Sequence, residues 1–410
     1  MKTIFRYTHI LLLLAAFIGT VAVTGYAQNP CEDATGMADL DGKFRNNYNK
    51  GLAERKIAVE AGKEYIQKYG GCGELTEDFV TYLKASLPKM EERIKVDEAG
   101  IIRDKLYSRF NEGVKAKNWD EVYASGKEIL AKEPDQLDVM ITLGSIGYDE
   151  LFEGRTNFKY NDDTLRYARQ AIAAIDSGKT SKTFGLFGWS FKDKQTALAE
   201  LNLTIGYLTQ VALKNKKDAA PYLYKVTQSS TTAAKNPIPY ELIGRFYFDE
   251  LNVLVEKIKA SEAAQSPETD TPEVAQKKVD DIKALVAMAN GTAERAMDAF
   301  SRAFNNAEPK EVAYKKQMKQ NVEAAYKLRF GKVDGIDTWI AGVSNKPFPN
   351  PTSPITPVSD PETATTTTSG AAAIETPAAK PASVKPAAAN GKPSIANKPA
   401  VKTVAKKRGL

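Results

Sequence analysis

Ser86-Leu-Pro-Lys89 has the Ser-x-x-Lys spacing in which a lysine activates a serine for acyl transfer. The Lys-Thr-Gly triplet that accompanies that motif is absent. Pro88 also stands where the spacing needs an undisturbed helix, so the match is read as chance. The single histidine is His9, inside an N-terminal apolar leader. A chain that has lost this leader has no histidine, which excludes the Ser-His-Asp arrangement, histidine general acid–base work and the usual zinc sites. The two cysteines, Cys31 and Cys72, have no histidine to activate a thiolate. An even count in an exported chain predicts one disulfide, closing a loop of about forty residues and stabilising by roughly 3–4 kcal/mol. There is no Gly-rich phosphate loop, nucleophile elbow or calcium-loop spacing. No catalytic residue, metal ligand or cofactor is therefore assigned. The acid pairs Asp162-Asp163 and Asp280-Asp281 are read as helix starts or solvated faces. A carboxylate-based hydrolase stays open as an alternative, because helical acid pairs do not discriminate. Asn202-Leu-Thr204 and Asn290-Gly-Thr292 match glycosylation sequons, and Asn290 is read as a helix cap.

One stretch offers a binding surface instead of a reaction. "TSKTFGLFGWSFKDK" (180–194) gathers Phe184, Phe187, Trp189 and Phe191 around two glycines. An aromatic loop on a rigid scaffold is a candidate binding element. The competing reading is a loop that folds back and plugs a gap between helices.

The elements that must carry these residues begin after residue 27. Lys2 and Arg6 precede the apolar run "ILLLLAAFIGTVAV", and small residues follow, with a cut expected after Ala27. This predicts a cleaved export signal, with a retained anchor as the alternative. No second apolar run is long enough to span, so the chain is not expected to cross a membrane once cut. Export places it in the periplasm or at the surface of a Gram-negative bacterium. The formal charge of +6 is uneven: +2 in the signal, +5 from Pro347 onward and −1 between. A near-neutral core is no footprint for nucleic acid. Residues 347–410 hold eleven of the twenty prolines, one Phe and no Tyr or Trp. Such a segment cannot offset its ordering entropy by burial and is predicted to be a disordered Pro/Ala/Lys-rich tail. It is a spacer, a weak salt-dependent contact to an anionic envelope polymer, or a source of proline motifs for a partner.

Residues 28–346 are predicted to be one all-α domain of roughly ten to thirteen helices, with a polar loop at 260–273. Ile102, Leu106, Phe110 and Val114 step by four, and Leu165, Ala168, Ala171, Ile172 and Ile175 by three and four. "ERKIAVEAGKEYIQKYGG" (54–71) is echoed by "NWDEVYASGKEILAKEPD" (118–135), each with Gly-Lys-Glu before large apolar residues. Similar helices written twice are units that must stack to bury their faces.

Tyr240, Ile243-Gly244 and Tyr247 on a first helix, with Ala296, Phe300 and Ala303 on a second, resemble the tetratricopeptide repeat family. Ala220, Tyr224 and Thr227 fit with one departure, and Ile205-Gly206 supplies another start. Gly126 and Ile129 face the stack of a further second helix, which Trp119 begins and Pro134 ends. The resemblance covers about Asn46 to Phe330 and implies an α-solenoid of antiparallel helix pairs. It further implies a non-catalytic scaffold that binds an unidentified protein or peptide. The stacking residues are Gly126, Ile129, Gly206, Tyr224, Tyr240, Gly244, Tyr247, Ala296, Phe300 and Ala303, expected to hold the fold, with no ligand contact assigned to them. A carbohydrate- or wall-binding module is the remaining alternative.

Overall fold

Side-chain caps set where the helices begin. Asn118, Asp193 and Asn215 each accept the backbone amide three residues on, satisfying a donor with no partner inside the helix. Asn236 and Thr271 cap helices that start with proline. Gly331 takes the left-handed conformation that ends the eleventh helix. The structure is a computed structural model and describes residues 29–266 and 269–360. The expected export signal and residues 361–410 of the predicted tail lie outside the described residues.

Twelve α-helices and no strand occur among the described residues: α1 (Ala34–Asn47), α2 (Leu52–Tyr69), α3 (Glu77–Ala116), α4 (Trp119–Lys132), α5 (Leu137–Phe152), α6 (Asn161–Asp176), α7 (Lys194–Val211), α8 (Lys216–Thr227), α9 (Pro237–Ala263), α10 (Pro272–Asn306), α11 (Val312–Phe330) and α12 (Ile336–Gly342). The predicted polar loop at 260–273 is thus trimmed from both sides, since α9 reaches Ala263 and α10 begins at Pro272.

The chain divides into two compact units within α3, one ending at Ser108 and the other beginning at Arg109. The apolar step of four overstated the stripe: Ile102 is 51% exposed, whereas Leu106, Phe110 and Val114 are buried.

The first unit has its own core. Leu40 and Phe44 of α1, Val59, Tyr65 and Tyr69 of α2, and Leu83 and Leu87 of α3 are buried together. The predicted Cys31–Cys72 disulfide is formed. Pro88 lies inside α3 without ending it, against the expectation that it would disturb a helix. The Ser86 hydroxyl donates back to the Tyr82 carbonyl at 2.8 Å, while Lys89 is exposed. The Ser86 hydroxyl is thus engaged with its own helix backbone.

In the second unit each helix from α4 to α11 packs on the next, and α5, α7 and α9 also pack on one another in turn. That next-but-one contact is the signature of stacked helix pairs, an α-solenoid arrangement. Close crossings fall at small residues. A Cβ at Gly144 would lie 2.6 Å from the Ala168 amide, one at Gly206 2.6 Å from Leu223, and one at Gly244 2.7 Å from Phe300. Overpacking such a crossing costs about 1–3 kcal/mol. Ile129, Tyr240, Tyr247, Ala296, Phe300 and Ala303 are buried in this unit.

The predicted tail is ordered over its first residues. From Lys346 to Asp360 the chain has neither helix nor strand, makes one turn at Asn350–Ser353, and is held along α10, with Asp360 reaching Arg329 of α11. Composition alone missed this because the attachment comes from α10 and not from the segment's own burial.

Candidate functional site

The four aromatics of the 180–194 loop do not form one surface. Phe184 is buried in the core, and Phe191 packs against that core. Trp189 meets the edge of Trp119, ring centroids 6.0 Å apart. Phe187 alone is largely exposed, at 43%. The loop is fixed to a polar stripe on α5. Asp138 accepts the Gly185 amide at 2.7 Å and the Thr183 hydroxyl at 3.3 Å. Thr142 accepts the Leu186 amide at 3.0 Å, and Asp149 accepts the Trp189 indole N–H at 3.1 Å. Gly185 has φ +114, and a Cβ there would lie 2.0 Å from the Trp189 carbonyl. Phe184 and Phe187 also adopt positive φ, at 39° and 55°. Two bulky residues held in this region store strain, which concentrates at binding and switching sites. The plugging role therefore belongs to Phe184 and Phe191, and the presented edge to Phe187 and Trp189.

A carboxylate pair lies close to this loop. Burial pushes the Glu200 carboxyl up to about 7, and repulsion from Asp149 adds to the shift. Burial also raises the neighbouring Tyr148 hydroxyl well above its ordinary range. No sequence signal pointed to this pair, because Asp149 and Glu200 sit on α5 and α7 and meet only through packing. Asp162-Asp163 open α6, and Asp280-Asp281 are exposed on α10, as expected.

The most developed recognition geometry is the one around residues 346–360. Tyr224 of α8 and Tyr240 of α9 flank the Phe348 ring, with centroids 6.0 and 5.0 Å away. The Arg302 guanidinium lies over the same ring at 5.3 Å. Arg302 also donates to the Val343 and Lys346 carbonyls at 2.7 and 2.6 Å, while Asp298 holds its other edge at 2.6 Å. About two turns earlier on α10, Arg295 donates to the Asn350, Ser353 and Pro354 carbonyls at 3.2, 3.0 and 2.7 Å, and to the Tyr247 hydroxyl at 3.1 Å. Asn290 donates to the Val358 carbonyl at 3.0 Å, and the Val358 amide donates to the Ala287 carbonyl at 2.8 Å. At Gly291 a Cβ would lie 2.2 Å from the Thr356 carbonyl, so the segment touches the helix backbone. Arg329 pairs with Asp360 at 2.7 Å.

One expectation is corrected here. Asn290 is not a helix cap but an interior α10 residue whose amide grips a carbonyl 68 residues away. Asn202 is likewise inside α7, so neither sequon is on a loop. Tyr224 and Tyr240 also touch the 346–360 segment through Phe348, a role their repeat positions did not announce, while Tyr247 meets it only through Arg295. Among the described residues no group of three or more His, Cys, Asp or Glu could hold a metal ion, and no helix is long and apolar enough to cross a membrane. No family model, curated protein or solved structure matches this sequence.

Proposed function

We propose that this chain is an exported, non-catalytic scaffold of tetratricopeptide-like helix pairs that binds another protein or a peptide in the bacterial envelope. The observation that carries the reading is the capture of residues 346–360 on α10: the fold holds a non-helical segment, turned once at Asn350–Ser353, by its main-chain carbonyls and one aromatic ring. Peptides are recognised in this way, with backbone groups giving affinity and a side-chain pocket giving selectivity. The repeat-like positions support the family resemblance, since Gly244 receives Phe300 at the crossing of α9 and α10. The disulfide supports an oxidising compartment.

The reading is tested by affinity capture from a native envelope extract, with the chain from Gln28 to Asp360 and the chain from Gln28 to Leu410 as baits. One protein enriched by both, and bound again when purified, supports the scaffold. Enrichment by the longer bait alone, lost at high salt, transfers binding to the basic tail. Capture of nothing by either removes the proposal.

A second reading has one observation in its favour. Glu200, whose carboxyl burial pushes up to about 7 with repulsion from Asp149 adding to the shift, has the disposition of a general acid. Turnover of wall glycans that is lost in Glu200→Gln would support a carboxylate hydrolase. Absence of turnover in the unaltered chain removes it.

A further inference from the structure

Residues 346–360 are attached to the second unit in an unusual way. Only Phe348 among them is buried. Prolines 347, 349, 351, 354 and 357 remove five amide donors and hold the backbone extended before it binds. Recognition then falls on carbonyls, and α10 meets them with side-chain donors spaced along one face: Asn290, Arg295 and Arg302. Gly291 leaves room for the peptide backbone itself. With the segment lifted away, these donors and the rings of Tyr224 and Tyr240 would line an open groove. A segment held mainly by exposed polar contacts opens at far lower free energy than the core beneath it.

We propose that the groove between α8 and α10 is a binding site for a non-helical, proline-punctuated peptide of another protein, anchored by one aromatic side chain, and that residues 346–360 are its tethered occupant. The inference rests on the scaffold reading and names where and what that scaffold binds. The ligand is defined by chemistry: an aromatic residue next to proline, followed by several residues whose carbonyls face Arg295 and Asn290. Its affinity is set against the tethered segment, so binding in trans is weak until that segment is displaced. The segment follows directly from Val343, which is itself buried, and from α12, which packs on α10. This short, proline-stiffened approach favours occupation by the chain's own segment over exchange between two copies.

The test uses the mature full-length chain and a fluorescent synthetic peptide with the sequence of residues 346–360. The unaltered chain binds this probe weakly. Phe348→Ala in the chain vacates the aromatic pocket, and probe binding tightens at least ten-fold. Adding Arg295→Ala abolishes it, and a probe with serine in place of its phenylalanine does not bind. A folded Phe348→Ala chain that ignores the probe overturns the proposal, as does a dimer of the unaltered chain that exchanges its segments. Should Phe348→Ala fail to fold, hydrogen exchange in the unaltered chain decides. A Val358 amide that exchanges well ahead of Ala296 in buried α10 supports a displaceable segment, and joint exchange overturns it. A chain that binds the probe yet captures no envelope protein keeps the groove and removes the scaffold reading. A captured partner that excess probe cannot displace keeps the scaffold and removes the groove.

Discussion

The Tyr69 hydroxyl donates to the Asp33 carboxylate at 2.6 Å, joining the end of α2 to the start of α1 just inside the Cys31–Cys72 disulfide. A Cβ at Gly36 would collide with both groups, so the contact is fitted around glycine. The bond holds the Asp33 carboxyl below its ordinary 3.8 and, from the other side, raises the Tyr69 phenol from 10.0 to about 12. The two shifts act at opposite ends of the pH scale. The lowered Asp33 contributes stability above 3.8 that is lost as pH falls through its folded value. The raised Tyr69 contributes stability that is complete below 10.0 and lost as pH rises to about 12. Tyr69→Phe should therefore lower the stability of the first unit across the neutral range and flatten both edges of its pH profile. Urea unfolding at acid, neutral and alkaline pH measures this, and a uniform loss with both edges intact would count against it.

The disulfide spans 41 residues of sequence. Cys31→Ser with Cys72→Ser should cost the first unit roughly 3–4 kcal/mol. The three tryptophans, Trp119, Trp189 and Trp339, all lie beyond Arg109. Their fluorescence therefore follows the second unit, while tyrosine near-ultraviolet dichroism also follows the first. The expected outcome is a tyrosine transition at lower urea with the tryptophan transition unmoved. Joint movement would mean that the two cores unfold as one.

What was legible in the sequence was what neighbours in sequence determine. Gly126, Gly244 and Phe300 could be placed because helix pairing repeats small and large residues at fixed spacing. The disulfide followed from a count of two. Asn290 was misread because its partner, the Val358 carbonyl, is 68 residues away. Residues 347–360 read as disordered because proline-rich composition reports the segment's own burial and not the arginines that hold it. Asp149 and Glu200 carried no signal at all, since their interaction exists only after α5 packs on α7. Ile102 kept helical spacing and yet stayed exposed, because periodicity gives a face and not a neighbour to cover it.

Glu200 makes the second unit sensitive to pH near neutrality. Its folded value of about 7 lies above the ordinary 4.5, so the fold disfavours its charged form. Stability is then highest below 4.5 and falls as pH rises to about 7, with the full loss above that. Glu200→Gln removes the charge and should stabilise well above neutrality by on the order of 2–3 kcal/mol, with little effect in acid. Thermal unfolding of both proteins on either side of this window measures it. An equal difference on both sides would trace the effect to packing instead.

The aromatic loop allows its two roles to be separated by mutation. Gly185→Ala must place a side chain at φ +114 and against the Trp189 carbonyl, at a cost of about 1–3 kcal/mol. It should release the Asp138 and Asp149 contacts and change the near-ultraviolet signal of Trp119 and Trp189. Phe187→Ala touches only the exposed tip of the loop and should change stability by less than about 0.5 kcal/mol. If the tip contacts a captured partner, Phe187→Ala weakens that complex several-fold while the tryptophan signal stays as it was. A partner affinity unchanged in Phe187→Ala and reduced only in Gly185→Ala would assign the loop to plugging α5, with no binding role of its own.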